Sequence, residues 1–285
     1  MPAHATAYYR HALLLLLLCV TLLASHAATA LPPVVANTNI VYGQAVGYDG
    51  KTLDLLLDVY YLDEPQAKNR PVMVLVHGGG FGGGDKAQEL YIRMAQDFAR
   101  AGYVAFSINY RLRDRTTPST VNALDGAVAD ATAAVEWIRQ NSARFNLDAE
   151  NISLAGDSAG GAIVVHTCYR DPARIRARVC LDLWGGLPTT PGNPSKYPWA
   201  DTLYPNALAP NTPPTCFIHG TGDVIVPYQS SVDLAAKLAA AGVFFEFYPL
   251  TGANHYPQKL ADQFIPIMIQ FTNTFAYNVI PAAKK

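Results

Sequence analysis

Residues 152–160 read Ile152-Ser153-Leu154-Ala155-Gly156-Asp157-Ser158-Ala159-Gly160 and run on into Gly161-Ala162-Ile163-Val164-Val165-His166-Thr167-Cys168-Tyr169. Ile152–Ala155 has the character of a short buried strand, and Ala159–Tyr169 that of a helix. Between them, Gly156-Asp157-Ser158-Ala159-Gly160 has the pattern G-x-S-x-G. A strand that turns directly into a helix needs glycines on both sides of the serine, because side chains there would clash. Such a turn lifts the serine hydroxyl clear of the backbone at the helix N-terminus. Ser158 is therefore the candidate nucleophile.

Working outward, the chain alternates strand and helix. Upstream, Asn39–Gly47 and Thr52–Leu62 flank Asp49-Gly50, the signature of an antiparallel hairpin. Val72-Met73-Val74-Leu75-Val76 is continuously apolar, as a strand covered on both faces must be. Ala87–Ala101 reads as a helix with Leu90, Met94 and Phe98 on one side, Tyr103–Tyr110 as a strand, and Val121–Arg144 as one long helix. Downstream come strands at Val179–Leu183 and Thr215–Ile218, a helix at Val232–Ala241, a strand at Phe244–Tyr248 and a closing helix at Gln258–Tyr277. Strands alternating with helices predict an α/β fold: a mostly parallel central sheet, an antiparallel N-terminal hairpin and helices on both faces.

A serine hydroxyl needs a base beside it. Beyond residue 30 the histidines are His77, His166, His219 and His255. His166 sits along the helix that follows Ser158, while His77 and His219 each end a strand directly before glycine. His255, in a loop after the last strand, is left as the candidate base. Asp223 leaves the strand Thr215–Ile218 within His219-Gly220-Thr221-Gly222-Asp223, at the sheet edge that carries Ser158 and His255. It is the candidate orienting carboxylate; Asp182 and Glu246 lie inside strands. Asp223 as a turn residue or as a cap for the helix near Pro227 is the plainer alternative. The run His77-Gly78-Gly79-Gly80-Phe81 follows a buried strand, and its bare amides, with the N–H of Ala159, can receive an oxyanion. His77 is expected to brace this loop.

Gly78–Gly83 also satisfies G-x-G-x-x-G, the dinucleotide-binding pattern. That reading needs an acidic residue at the end of the next strand, where Ile108-Asn109-Tyr110-Arg111 has none. No Gly-Lys-Ser/Thr follows to make a phosphate loop.

The 285 residues carry 21 Lys plus Arg against 22 Asp plus Glu, a formal charge of −1. This balance leaves no electrostatic footprint for nucleic acid or anionic lipid. Residues 1–30 hold Arg10, no acidic residue, the apolar run Ala12–Ala24 and the triplet Ala28-Thr29-Ala30. That order reads as a secretory signal peptide cut near Ala30; the apolar run is shorter than the ~20 residues that span a bilayer. The expectation is a secreted or periplasmic protein, without a stable membrane anchor, whose single domain occupies 31–285. Cleavage removes Cys19 and leaves Cys168, Cys180 and Cys216, expected as buried thiols, with no spacing that indicates a metal. The sequon Asn151-Ile152-Ser153 opens a buried strand and is expected to stay unmodified. Residues 185–214 contain Pro188, Pro191, Pro194, Pro198, Pro205, Pro210, Pro213 and Pro214 together with Tyr197, Trp199 and Tyr204. This stretch cannot form a regular element and is read as a cap loop over the substrate.

His77-Gly78-Gly79-Gly80, Gly156-Asp157-Ser158-Ala159-Gly160, the late Asp223/His255 pair and Asn109-Tyr110-Arg111-Leu112 together resemble the α/β-hydrolase esterases of the hormone-sensitive-lipase and type-B carboxylesterase groups. The resemblance runs from about Asn39 to Phe275. It implies an α/β-hydrolase fold, a Ser158–His255–Asp223 triad, an oxyanion hole of Gly79, Gly80 and Ala159, and no cofactor or metal. The expected substrates are small-molecule or polymer-borne carboxylic esters, and export points to feruloyl or acetyl decorations of plant polysaccharides as one alternative. The segment 219–227 is closer to dienelactone-hydrolase, feruloyl-esterase and oligopeptidase-type members, and no helical cap precedes the sheet. A peptidase of this fold and a non-catalytic binding protein on a hydrolase scaffold are the other readings. The second usually shows a lost triad member, and none is lost here.

Overall fold

The computed structural model describes residues 32–113, 120–185, 208 and 211–277. The signal-peptide reading of 1–30 and nearly all of the 185–214 cap-loop reading lie outside these residues. The strands are β1 Val34–Val46, β2 Thr52–Leu62, β3 Arg70–Val76, β4 Val104–Ile108, β5 Leu147–Asp157, β6 Cys180–Leu183, β7 Thr215–Gly220 and β8 Phe245–Leu250. The helices are α1 Glu89–Arg100, α2 Thr120–Gln140, α3 Ser142–Phe145, α4 Ala159–Arg170, α5 Pro172–Ile175, α6 Tyr228–Ala240 and α7 Ala261–Ala276, with a 3-10 turn at Gln258–Leu260.

All eight strands form one sheet in the order β1-β2-β4-β3-β5-β6-β7-β8. β1 and β2 pair antiparallel across the Asp49-Gly50 turn, and β2 pairs antiparallel with β4. From β4 onward every pairing is parallel. β3 shows why a central strand must be wholly apolar. Val72, Val74 and Val76 face a core built with α2, α4 and α6, through residues such as Leu124, Val135, Ile163 and Leu238. Met73 and Leu75 face the opposite core, built with α1 and α7 through Met94, Phe98, Phe264 and Met268. Alternate residues of a strand point to opposite faces, so two helical layers require two apolar sets.

Several elements depart from the sequence reading, and β1 begins at Val34, five residues before Asn39. The long helix breaks at Asn141, whose side-chain amide donates to the Trp137 carbonyl at 2.8 Å and competes with the helical ladder. Asn146 then closes the extra turn in the left-handed region at φ 55°. β5 is longer than Ile152–Ala155, because Leu147 already pairs with Arg70 before a register shift. α6 starts at Tyr228, four residues earlier than its apolar pattern indicates. Asn151 Nδ2 donates to the Ala276 carbonyl at 2.8 Å, so a glycan there would break a tie between β5 and α7. Cys168, Cys180 and Cys216 are free and buried.

The turn after β5 is possible only without side chains at its flanks. A Cβ on Gly160 would stand 2.0 Å from the Val76 carbonyl oxygen, and one on Gly156 would stand 2.4 Å from the Gly160 carbonyl carbon. These are backbone-to-backbone approaches that no rotamer change can relieve. Gly160→Ala is therefore expected to cost more than about 3 kcal/mol, since α4 must lift off β3. Gly242→Ala is the comparison: its φ is 69° with open space around it, so only the left-handed penalty of about 1 kcal/mol applies. Denaturant unfolding of both variants, showing equal losses, would contradict this packing.

Candidate active site

Ser158 stands between β5 and α4 with φ 50° and ψ −119°, a conformation that costs energy for any residue with a Cβ. The turn is held from behind, because the Ser158 amide donates to the Leu183 carbonyl of β6 at 3.0 Å. Asp223 follows β7 and His255 follows β8. Their loops are stitched together: Thr221 N donates to Leu250 O, Gly222 N to Ala253 O, and Gly252 N to Thr221 Oγ1. A Cβ on Gly220 would meet the Ala253 carbonyl at 2.3 Å, so this close approach needs glycine.

These loops bring the three predicted side chains together. His255 Nε2 lies 2.9 Å from Ser158 Oγ, and His255 Nδ1 lies 2.7 Å from Asp223 Oδ2. The carboxylate accepts, so Nδ1 carries the proton and Nε2 presents a lone pair to the serine hydroxyl. Asp223 is buried and its Oδ1 accepts from the amides of Ile225 and Val226 at 2.8 and 2.9 Å. The His255 side chain stays 16% exposed, enough for a substrate to reach it.

In the glycine loop after β3, Gly79 and Gly80 have φ of 116° and 61°, which glycine alone adopts freely. Among the described residues, the amides of Gly79, Gly80 and Ala159 donate to no protein acceptor. His77 is buried beneath this loop, its Nδ1–H directed at Gly78 O (2.7 Å) and its ring stacked on Tyr110 at 4.5 Å. Tyr110 in turn donates to the His77 carbonyl at 2.9 Å. Burial holds His77 below the usual histidine range, as suits a neutral brace.

Asp157 is a contributor that the sequence reading missed. Its Oδ1 accepts from the Gly78 amide at 2.7 Å and from the Tyr91 hydroxyl, and its Oδ2 from Trp184 Nε1 at 3.2 Å. One buried side chain thus ties the glycine loop to the residue preceding Ser158. Burial raises its carboxyl above the usual range, and donors from Tyr91, Gly78 and Trp184 oppose that rise. The clue in the sequence was an acidic residue inside an otherwise apolar turn.

The alternative carboxylates lie elsewhere. Glu246 bonds the Tyr248 hydroxyl. Asp182 is fully buried and its Oδ1 accepts from the Gly185 amide at 3.0 Å. Burial pushes Asp182 up from 3.8 to about 7. Between those values the folded state holds a proton that the unfolded state has lost. Stability therefore falls as pH rises through that window and levels off above it. Asp182→Asn keeps the acceptor and does not titrate. It should gain on the parent by several kcal/mol between pH 4 and pH 7, at about 1.4 kcal/mol per pH unit. Denaturant unfolding at pH 4.5 and 7.5 measures this, and a pH-independent difference would contradict it.

Residues 57–174 match the BD-FAE family and residues 180–275 match the prolyl oligopeptidase family. Esterase 2 of Thermogutta terrifontis, solved phosphorylated by paraoxon, superposes with a TM-score of 0.67 at 26% identity, covering 88% of this chain and 96% of that one. The chain has the α/β-hydrolase fold. Among curated proteins, this chain is 34% identical over 134 residues to carboxylesterase NlhH of Mycobacterium tuberculosis, covering 46% of this chain and 39% of that one. It is 30% identical over 165 residues to the non-reducing polyketide synthase ausA of Penicillium brasilianum, covering 52% of this chain. The chain spans only 6% of that synthase, so the match concerns one part of a much longer protein. Among the described residues, no helix is long and apolar enough to cross a membrane, and no group of three or more His, Cys, Asp or Glu residues gathers to hold a metal ion.

Proposed function

We propose that the protein is a secreted serine esterase that cleaves carboxylic esters through an acyl-enzyme. The observation that supports this most directly is the hydrogen-bonded line Ser158 Oγ–His255 Nε2, His255 Nδ1–Asp223 Oδ2. Ser158 Oγ attacks the ester carbonyl carbon while its proton passes to His255 Nε2. The carbonyl oxygen takes the negative charge and receives the N–H groups of Gly79, Gly80 and Ala159, each worth about 3 kcal/mol in such sites. Collapse breaks the bond to the alcohol oxygen, which takes the proton from His255. Water then attacks the acyl-enzyme, gives its proton to His255, and releases the acid as Ser158 recovers its hydrogen. Asp223 holds the imidazole in the Nδ1–H form throughout. Export rests on the N-terminal pattern of residues 1–30, and it favours esters met outside the cell, small or polymer-borne.

A panel of nitrophenyl esters graded by acyl length, run beside feruloyl and acetyl-sugar esters, tests the reading. At least one class should turn over, and paraoxon should inactivate the protein with one phosphoryl group on Ser158. No hydrolysis across the panel would instead favour a binding protein on a hydrolase scaffold. N-terminal sequencing of the exported protein should begin at Leu31.

A further inference from the structure

His219 is the last residue but one of β7, four residues before Asp223, and is fully buried. Its Nε2 lies 3.2 Å from Asp223 Oδ2 and 3.0 Å from the Val226 carbonyl oxygen. Its Nδ1 lies 2.7 Å from Ser231 Oγ on α6. The carboxylate oxygen that it meets is the one that His255 Nδ1 also meets. Two imidazoles therefore share one oxygen.

The partners decide the tautomer. Carboxylate and carbonyl both accept, and a lone pair on Nε2 would repel both, so Nε2 carries the proton. Nδ1 is then the acceptor, and Ser231 donates to it. The charged and titratable groups around the ring are Asp223 from its own loop, Tyr228 of α6 with ring centroids 5.8 Å away, and His255 across the carboxylate. Burial holds His219 below the usual histidine range, opposed by the Val226 carbonyl and by Asp223.

We propose that His219 is a positioning residue for the triad: a neutral donor that keeps Asp223 Oδ2 aimed at His255 without adding a second positive charge beside the imidazolium formed there. This rests on reading Ser158, His255 and Asp223 as nucleophile, base and orienting acid. Two backbone amides anchor Oδ1, and His219 does the same for Oδ2 from the protein side. A charged ring in its place would repel the imidazolium across the shared oxygen and disfavour proton transfer from Ser158.

His219→Ala should lower kcat by about 10- to 100-fold with KM nearly unchanged. It should also move the acid limb of kcat/KM to higher pH, because an oxygen short of one donor holds the imidazolium more tightly. His219→Gln, which can present an N–H to Oδ2, should recover most of both effects. A lower melting temperature with an unmoved acid limb, and a Gln variant no better than Ala, would overturn the inference and leave His219 a packing residue. Should the variants fail to fold, 15N-histidine NMR of the unmutated protein decides. A neutral Nε2–H ring from pH 5 to 9 supports the inference, and an Nδ1–H ring or a cation at pH 7 overturns it. Ser158→Ala, assayed in parallel, separates the two layers. If it still hydrolyses esters, the triad reading fails and takes this inference with it. If it is dead while His219→Ala keeps both kcat and the acid limb, only this inference fails.

Discussion

Ser158→Ala is expected to lower kcat/KM for ester hydrolysis by about 10^4- to 10^6-fold, the range set by removing the nucleophile from a serine-histidine pair. The residual rate would come from binding and from the amides of Gly79, Gly80 and Ala159. The fold should survive. Alanine meets the same φ of 50° that serine already tolerates, and among the described residues the Ser158 side chain gives up only its bond to His255 Nε2. Circular dichroism and the melting temperature should therefore match the parent while paraoxon labelling disappears. Turnover within tenfold of the parent would remove the proposed mechanism.

Asp223→Asn should cost about 10^4-fold in kcat while leaving the protein folded. The reason lies in the donors around the carboxylate. Oδ1 accepts from two backbone amides, Ile225 and Val226, which cannot reverse their polarity. The asparagine oxygen must occupy that side. Its NH2 group then faces His255 Nδ1 and His219 Nε2, where the aspartate accepted. His255 answers by offering a lone pair at Nδ1 and moving its proton to Nε2. A protonated Nε2 cannot take the proton of Ser158. Substrate binding should change little, so the loss should appear in kcat and not in KM. An Asp223→Asn enzyme within tenfold of the parent would place the orienting carboxylate elsewhere.

How much of this was readable from residue order varies from element to element. Val72–Val76 could be placed in a two-sided strand because covering both faces requires an unbroken apolar run, and the structure gives it two cores. The serine turn was readable because glycines before and after it answer a local steric demand. Ser158, Asp223 and His255 could be set at one edge because parallel strands joined by right-handed crossovers all end on the same side. The break at Asn141 was not readable, since the side-chain bond to Trp137 competes with a pattern that is otherwise helical.

The partners of buried polar groups were illegible for a deeper reason. Asp157 meets Gly78 and Tyr91, which lie 79 and 66 residues away in the chain. His219 looked like a strand end before a glycine, yet it shares an oxygen with His255. Periodicity, glycine placement and strand direction are local properties, so the order of residues carries the sheet, its two cores and the edge where the polar side chains gather. Which donor satisfies which buried acceptor depends on contacts between distant segments at a precision of tenths of an ångström. That pairing emerges only when the packed layers fix the loops against one another.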